Sequence, residues 1–160
     1  MTIAATETVD TFLNRIIIFY LIAFIKERKS CTNIDGVSCA RFKIMDLATG
    51  TGDVAILLAS NLMSAVDLRD ELNIVSVSIT GVDPSTNMLS IADSKVRQKK
   101  LSSLVKLQVG NAEQLSDFSS NDFNAITMSF GIRNVPNRSA ALAEMFRVLV
   151  PSSRSGGTII

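Results

Sequence analysis

Residues 44–56 read "IMDLATGTGDVAI": an apolar run ends near Asp46, crosses a Gly50-Thr51-Gly52 turn and becomes apolar again at Val54. Such a passage is the junction of a buried strand with a helix, and the segments on either side extend the pattern. "RFKIMDLAT", from Arg41, is a short strand, and "DVAILLASNLMSAV" is long enough for a buried helix. In "NIVSVSITGVD", Val75, Val77 and Ile79 alternate with Ser76, Ser78 and Thr80, the two-residue period of a strand. "PSTNMLSIADSKVRQKK" opens on cap-type hydroxyls, repeats apolar residues at Met88, Ala92 and Val96, and closes on Arg97, Lys99 and Lys100. Cations suit the negative end of a helix dipole, so this cluster is a solvated helix end rather than a binding patch. "LVKLQVG" and "DFNAITMSFG" are two further strands. Between Asn137 and Leu149, the spacing of Leu142, Met145, Phe146 and Leu149 predicts an amphipathic helix before Pro151, and "GTII" begins a last strand. The order β-α-β-α-β-β-α predicts an α/β fold, a mostly parallel sheet with helices on both faces.

The chain has 160 residues, enough for one domain with a real core, expected over residues 41–160. A net charge of +1, from 16 basic and 15 acidic residues, does not favour a nucleic-acid partner. There is no histidine, which removes Ser-His-Asp and Cys-His catalysis and the commonest metal ligand together. Cys31 and Cys39 form no CxxC pair; they read as free thiols of an intracellular, reducing compartment, and no metal site is expected. Ten consecutive apolar residues, Ile16 to Ile25, lie between Arg15 and the basic residues Lys26, Arg28 and Lys29. A hydrocarbon core needs about twenty. The run is a covering helix, an interfacial helix giving peripheral membrane contact through residues 13–29, or the remnant of a targeting segment. A polar linker, residues 30–40, separates it from the domain.

Ligands of open parallel sheets bind beyond the carboxyl ends of the strands, which directs attention to Asp46 through Gly52, Asp83, Gly110 through Glu113, and Ser129 through Asn134. The glycine turn lets main chain approach a ligand closely, and the following helix N-terminus favours an anionic group. Asp46 would repel a pyrophosphate, and GTG lacks the GxGxxG spacing of dinucleotide sites. A ligand with both a carboxylate and an ammonium meets both requirements. S-adenosyl-L-methionine has that amino-acid end, with a ribose diol that Asp83 can accept at the end of the second strand. Asp83 read alone also fits a helix N-cap or a simple turn residue.

"DLATGTGD", "GVDPSTNML", "VGNAEQL", "FNAITMSFGIRNVPN" and "ALAEMFRVLVP" occur in that order over residues 43–151. Together they resemble the class I methyltransferases that C-methylate polyprenyl benzoquinols and demethylmenaquinols in ubiquinone and menaquinone biosynthesis. "SFGIRN" carries the quinone part of the likeness; the GTG turn alone says only that a cofactor of this type binds. The resemblance implies a Rossmann-like sheet and S-adenosyl-L-methionine as cofactor. It implies cofactor contacts at Thr51, Asp83, Asn111 with Ala112, and Ser129, with Asp46, Gly50 and Gly52 forming the general loop. Arg133 and Asn134 match the pair beside the reacting ring, and Glu113 is left outside the site.

Carbon methylation needs an electron-rich ring. Arg133 would stabilise a developing phenolate, and Asn134 would hold a hydroxyl or a water. Two features depart from the family: residues 1–40 lack its N-terminal segment, and the chain stops as the fifth strand begins, with "PSSRSGG" interrupting the usual Pro-Gly-Gly turn. A fold lacking most of its C-terminal strands is therefore expected. Three functions stay open: a quinone-pathway C-methyltransferase, a non-catalytic protein or subunit that binds the cofactor, and a methyltransferase of another small lipid acceptor. Expected partners are a prenylated quinol, a second copy of the chain, or other quinone-biosynthesis proteins. The resemblance places the protein inside the cell, peripheral to a mitochondrial inner membrane or plastid membrane in a eukaryote, or cytoplasmic in a bacterium.

Overall fold

The computed structural model describes residues 41–64, 76–151 and 158–159. The apolar run, the polar linker and both cysteines lie outside the described residues, as does most of "PSSRSGG". Strand β1 spans Arg41–Leu47, helix α1 Asp53–Ser64, β2 Ser76–Asp83, α2 Thr86–Gln98, β3 Val105–Val109 and β4 Ala125–Thr127. A 3-10 turn at Gly131–Asn134 leads to α3, Arg138–Val148, and β5 covers Thr158–Ile159.

Every strand pair is parallel, in the order β3-β2-β1-β4-β5. The first three strands add in one direction, and β4 then returns to the other side of β1. This reversal opens a crevice between the loops that leave β1 and β4, the place where such sheets bind ligands.

Alternation along each strand assigns the two faces. Phe42 and Ile44 of β1, Val77 and Ile79 of β2, Val105 of β3 and Ala125 of β4 point to one side. There they pack with Ala55, Ile56, Leu58 and Ala59 of α1 and Val96 of α2. Met45, Leu47, Val82 and Ile126 pack on the other side with Ala141, Met145 and Val148 of α3. The expected two-faced α/β sheet is thus present, with β1 apolar toward both faces at Ile44, Met45 and Leu47.

The helices are set by local chemistry. Ser85 caps α2 by accepting the Met88 N–H at 3.3 Å, and Asn137 caps α3 by accepting the Ala140 N–H at 3.0 Å. Asp83 is therefore not the cap; its carboxylate accepts the N–H of Ser85 just before the helix. The basic end of α2 is solvent-exposed as read, with Arg97 paired to Asp93.

Two helix faces differ from the sequence reading. On α2 the buried stripe is Leu89, Ala92 and Val96, while Met88 is exposed. On α3 it is Ala141, Met145 and Val148, while Leu142 and Phe146 face solvent. Helical spacing admitted two overlapping stripes: on α2 they share Ala92 and Val96 and differ only in Leu89 for Met88, and on α3 the small Ala141 lets the helix approach the sheet. β4 is also shorter than "DFNAITMSFG": Phe123 makes an isolated bridge to Leu149, and the chain leaves the ladder after Thr127. β4 lies next to an edge, with β5 outside it. Among the described residues, no helix is long and apolar enough to cross a membrane.

Candidate functional site

Four loops leave the carboxyl ends of β1 to β4, and hydrogen bonds and close packing bind them to one another. Gly50 and Gly52 of the first turn have φ of +56° and +78°, values that a side chain would strain. A Cβ on Gly50 would meet nothing within 4 Å, so the main chain is open to a ligand there. The Gly50 N–H donates to Asp83 Oδ2 at 2.9 Å, and the Thr49 N–H donates to the Val82 carbonyl at 3.1 Å, fixing the first loop on β2. The Gly110 N–H reaches the Asp83 carbonyl at 3.2 Å and brings the third loop alongside. Gly131, at the start of the fourth loop, packs so closely that a Cβ there would overlap that of Ala48.

Asp46 and Asp83 divide the work. Asp46 is 1% exposed, and its two oxygens accept the hydroxyls of Thr49 at 2.6 Å and Thr127 at 2.7 Å. It also accepts the backbone N–H of Ala55 in α1. Burial pushes its carboxyl up to about 6, against the lowering effect of those hydrogen bonds, and the nearby Asp83 charge raises it further. Asp46 therefore lies behind the loop, joining β1, β4 and α1, rather than on its ligand side. Asp83 is 8% exposed, and each of its oxygens holds one backbone N–H, from Gly50 and from Ser85. A carboxylate has about four lone-pair positions, so Asp83 retains capacity for two hydroxyl donors such as a ribose diol.

The third loop carries Asn111, exposed, and Ala112, buried. Asn111 Oδ1 accepts the Glu113 N–H at 3.0 Å, and its amide donates to Glu113 Oε2 at 3.3 Å. Glu113 Oε1 in turn accepts the N–H of Asn137 at 2.5 Å. Glu113, set aside in the sequence reading, is thus the strut between the third loop and the segment after β4. Glu113 and Asn137 each stand plainly in the sequence; their pairing across 24 residues does not.

The segment after β4 is more open. Ser129 is partly buried; Phe130, with φ of +58°, Arg133 and Asn134 are exposed. The Arg133 guanidinium lies 5.6 Å from the centroid of the Phe130 ring, a cation–π contact. The fold therefore brings Gly50, Thr51, Gly52, Asp83, Asn111, Ala112 and Ser129 to one end of the sheet, with Arg133 and Asn134 on the adjoining turn and Asp46 beneath. The sequence reading missed Thr49 and Thr127. Thr127 shares its strand face with Ala125, so its hydroxyl points at whatever polar group β1 places opposite, and the β1–β4 register pairs it with Asp46.

Solved structures confirm the architecture. The DszA carbon methyltransferase matches 91% of this chain and 34% of its own length, with a TM-score of 0.69 and 15% identity. The [4+2]-cyclase SpnF matches 82% of this chain and 41% of its own, with a TM-score of 0.58 and 25% identity. One fold thus bears two reactions, and sequence relatives discriminate better than shape. The chain is 41% identical over 112 residues to the ubiquinone/menaquinone biosynthesis C-methyltransferase UbiE of Geotalea daltonii, covering 70% of this chain and 43% of that protein. It is 38% identical to the demethylmenaquinone methyltransferase of Lactiplantibacillus plantarum, covering 69% and 42%. For UbiE of Geobacter sulfurreducens the identity is 34%, covering 90% and 50%. The chain thus spans about half the length of these curated relatives. The ubiE/COQ5 methyltransferase family model matches residues 7–159. Loops joined at the switch point of a parallel sheet and a match over nearly the whole sequence lead to one conclusion: the chain belongs to the ubiE/COQ5 methyltransferase family.

Proposed function

We propose that this chain binds S-adenosyl-L-methionine at the carboxyl ends of β1, β2 and β3, and that its activity is C-methylation of a prenylated benzoquinol or demethylmenaquinol. The observation that carries the reading is the pairing of the open Gly50 turn with Asp83, whose oxygens are oriented by Gly50 and Ser85 and still have capacity to accept. That donor and acceptor set suits a ligand with a polar amino-acid end and a vicinal diol. Ala112, two residues after the Gly110 N–H that reaches the Asp83 carbonyl, is the small apolar residue of the third loop and suits a flat base.

The cofactor supplies an electrophilic methyl group when bound. The protein's own part is placement and charge. Ser129 lies two residues beyond β4, in the segment that meets the first loop where Gly131 packs on Ala48. Arg133, two residues beyond Gly131, brings a guanidinium to the rim of the same crevice, where it would favour the ionised form of a quinol hydroxyl. Asn134 would hold that hydroxyl or a water. Phe130 and Ile132, both exposed, give the rim an apolar character suited to a ring bearing a prenyl tail. No histidine is required, because alignment of the ring carbon with the methyl group supplies much of the rate, up to about 7–11 kcal/mol in well-oriented reactions.

A second reading, cofactor binding without turnover, is favoured by the contrast between the buried Asp83 and the exposed Arg133 and Asn134. Incubating the purified chain with methyl-labelled cofactor and short-chain demethylated benzoquinols and naphthoquinols separates the two. Label on a ring carbon is the expected result. Binding without transfer selects the second reading, and absence of binding rejects both.

A further inference from the structure

Lys95 lies on α2, one turn after Ala92, the residue packed beneath Gly52. From there its ammonium reaches back across 44 residues of sequence to the glycine turn, donating to Thr51 Oγ1 at 2.9 Å and to Asp53 Oδ1 at 2.8 Å. The Thr51 hydroxyl donates its only proton to Asp53 Oδ2 at 2.7 Å. A hydroxyl has one donor and two acceptor positions. Here the donor and one acceptor are committed, so the rotor is held and a single lone pair remains. The three groups form a closed triangle at the mouth of the turn.

An ordinary surface ion pair would be the plain explanation, and exposed pairs contribute only about 0–1 kcal/mol. Three observations point further. The Lys95 side chain is 35% exposed against 75% for Asp53, so the lysine is the better-enclosed partner. It spends one hydrogen bond on a neutral hydroxyl, an interaction that an ion pair alone does not require. That hydroxyl stands between Gly50 and Gly52, in a turn whose main chain is open to a ligand at Gly50. Burial alone would raise the Asp53 carboxyl, but hydrogen bonds from Lys95 and Thr51 and the charge of Lys95 outweigh it and hold the group below its usual value. Asp53 is therefore the ionised acceptor of both hydrogen bonds at neutral pH.

We propose that Lys95 is a positioning residue for the amino-acid end of the cofactor: it fixes the Thr51 hydroxyl beside the Gly50 turn and sets the charge balance there. The proposal rests on the cofactor reading above. It assigns Lys95 no contact with the adenosine, which lies toward Asp83 and Ala112. Lys95 therefore discriminates between ligands that have the amino-acid end and ligands that lack it.

The test is a pair of titrations on the intact chain. S-adenosyl-L-homocysteine and 5′-methylthioadenosine share adenosine and sulfur, and only the first has the amino-acid end. Lys95→Met, which keeps the apolar stem, is expected to weaken S-adenosyl-L-homocysteine about tenfold, the scale of one charge-assisted hydrogen bond, while methylthioadenosine changes less than twofold. Lys95→Arg is expected to regain most of the loss. Lys95→Gln provides a second neutral variant, and circular dichroism checks the fold of each. Equal losses for both ligands in a folded variant, or no loss for either, would overturn the proposal and leave the cofactor reading standing. A native chain that binds neither ligand would overturn both.

Discussion

The turn after β1 and the segment after β4 face each other across the switch point, yet they are built differently. The first is locked from below: Asp46 is 1% exposed and holds Thr49, Thr127 and α1 together. Its neighbour Asp83 holds Gly50 and Ser85. In the second, Phe130 is 55% exposed, and Arg133 has its ring contact with Phe130 at the surface. The two meet at Gly131, against Ala48, and the Glu113–Asn137 hydrogen bond ties the segment after β4 to the third loop. The lesson is that the turn after β1 is braced from beneath by a buried carboxylate, whereas the segment after β4 presents Phe130 and Arg133 at the surface with little bracing among the described residues.

If so, removing the buried carboxylate beneath the first turn should cost more stability than any change on the segment after β4. Asp46→Ala strands two buried hydroxyls and the Ala55 N–H, and is expected to cost about 2 to 4 kcal/mol in denaturant unfolding, despite relieving a buried charge. A loss below 1 kcal/mol would mean that the loop is not locked through this carboxylate.

Next in size is the effect of Arg133 on transfer. Arg133→Ala should lower methyl transfer about 10- to 100-fold, or about 1.4 to 2.7 kcal/mol of barrier, with cofactor affinity within twofold of native. A matching loss of cofactor affinity would erase the distinction between the two sides.

A smaller effect comes from pH. Because the folded state raises the Asp46 carboxyl to about 6, it binds that proton more tightly than the unfolded chain does. Lowering the pH from 7 to 5 therefore adds stability through this group, about 1 kcal/mol, and raising it again removes that gain. Asp46→Asn lacks the contribution, so the gap, taken as native stability minus variant stability, should rise toward pH 5. A gap that falls would reverse the sign assigned to this carboxyl.

The smallest effect marks where the braced region ends. On α3, Phe146 is 69% exposed and the adjacent Met145 is 1% exposed. Phe146→Ser should change stability by less than about 0.5 kcal/mol, against about 2 to 5 kcal/mol for Met145→Ala. Comparable losses would place cover over the exposed face.

How much of this was legible follows from what each signal encodes. The strand ends, the glycine turn and both acids are local patterns, and "GTGD" and "GVDPS" placed the loops correctly. Which helix stripe faces the sheet was not local: on α3, the large residues Leu142 and Phe146 suggested one face, and packing of Ala141 and Val148 selected another. The role of Asp46 was hidden for the same reason. As a lone acid beside a glycine turn it read as a ligand group, and only the β1–β4 register reveals that Thr127 is already bonded to it. Lys95 and Glu113 are long-range partners, separated from the groups they hold by 44 and 24 residues, and no spacing rule reaches that far.

The claim that the loops after β1 to β3 form a preorganised cofactor site is tested most directly by calorimetric titration of the native chain and of Asp83→Ala with S-adenosyl-L-homocysteine. One site per native chain is expected, with affinity about 10- to 150-fold weaker in the variant, the range of about 1.5 to 3 kcal/mol for hydrogen bonds to a charged group. Equal affinity in two proteins with the same circular dichroism spectrum would contradict it.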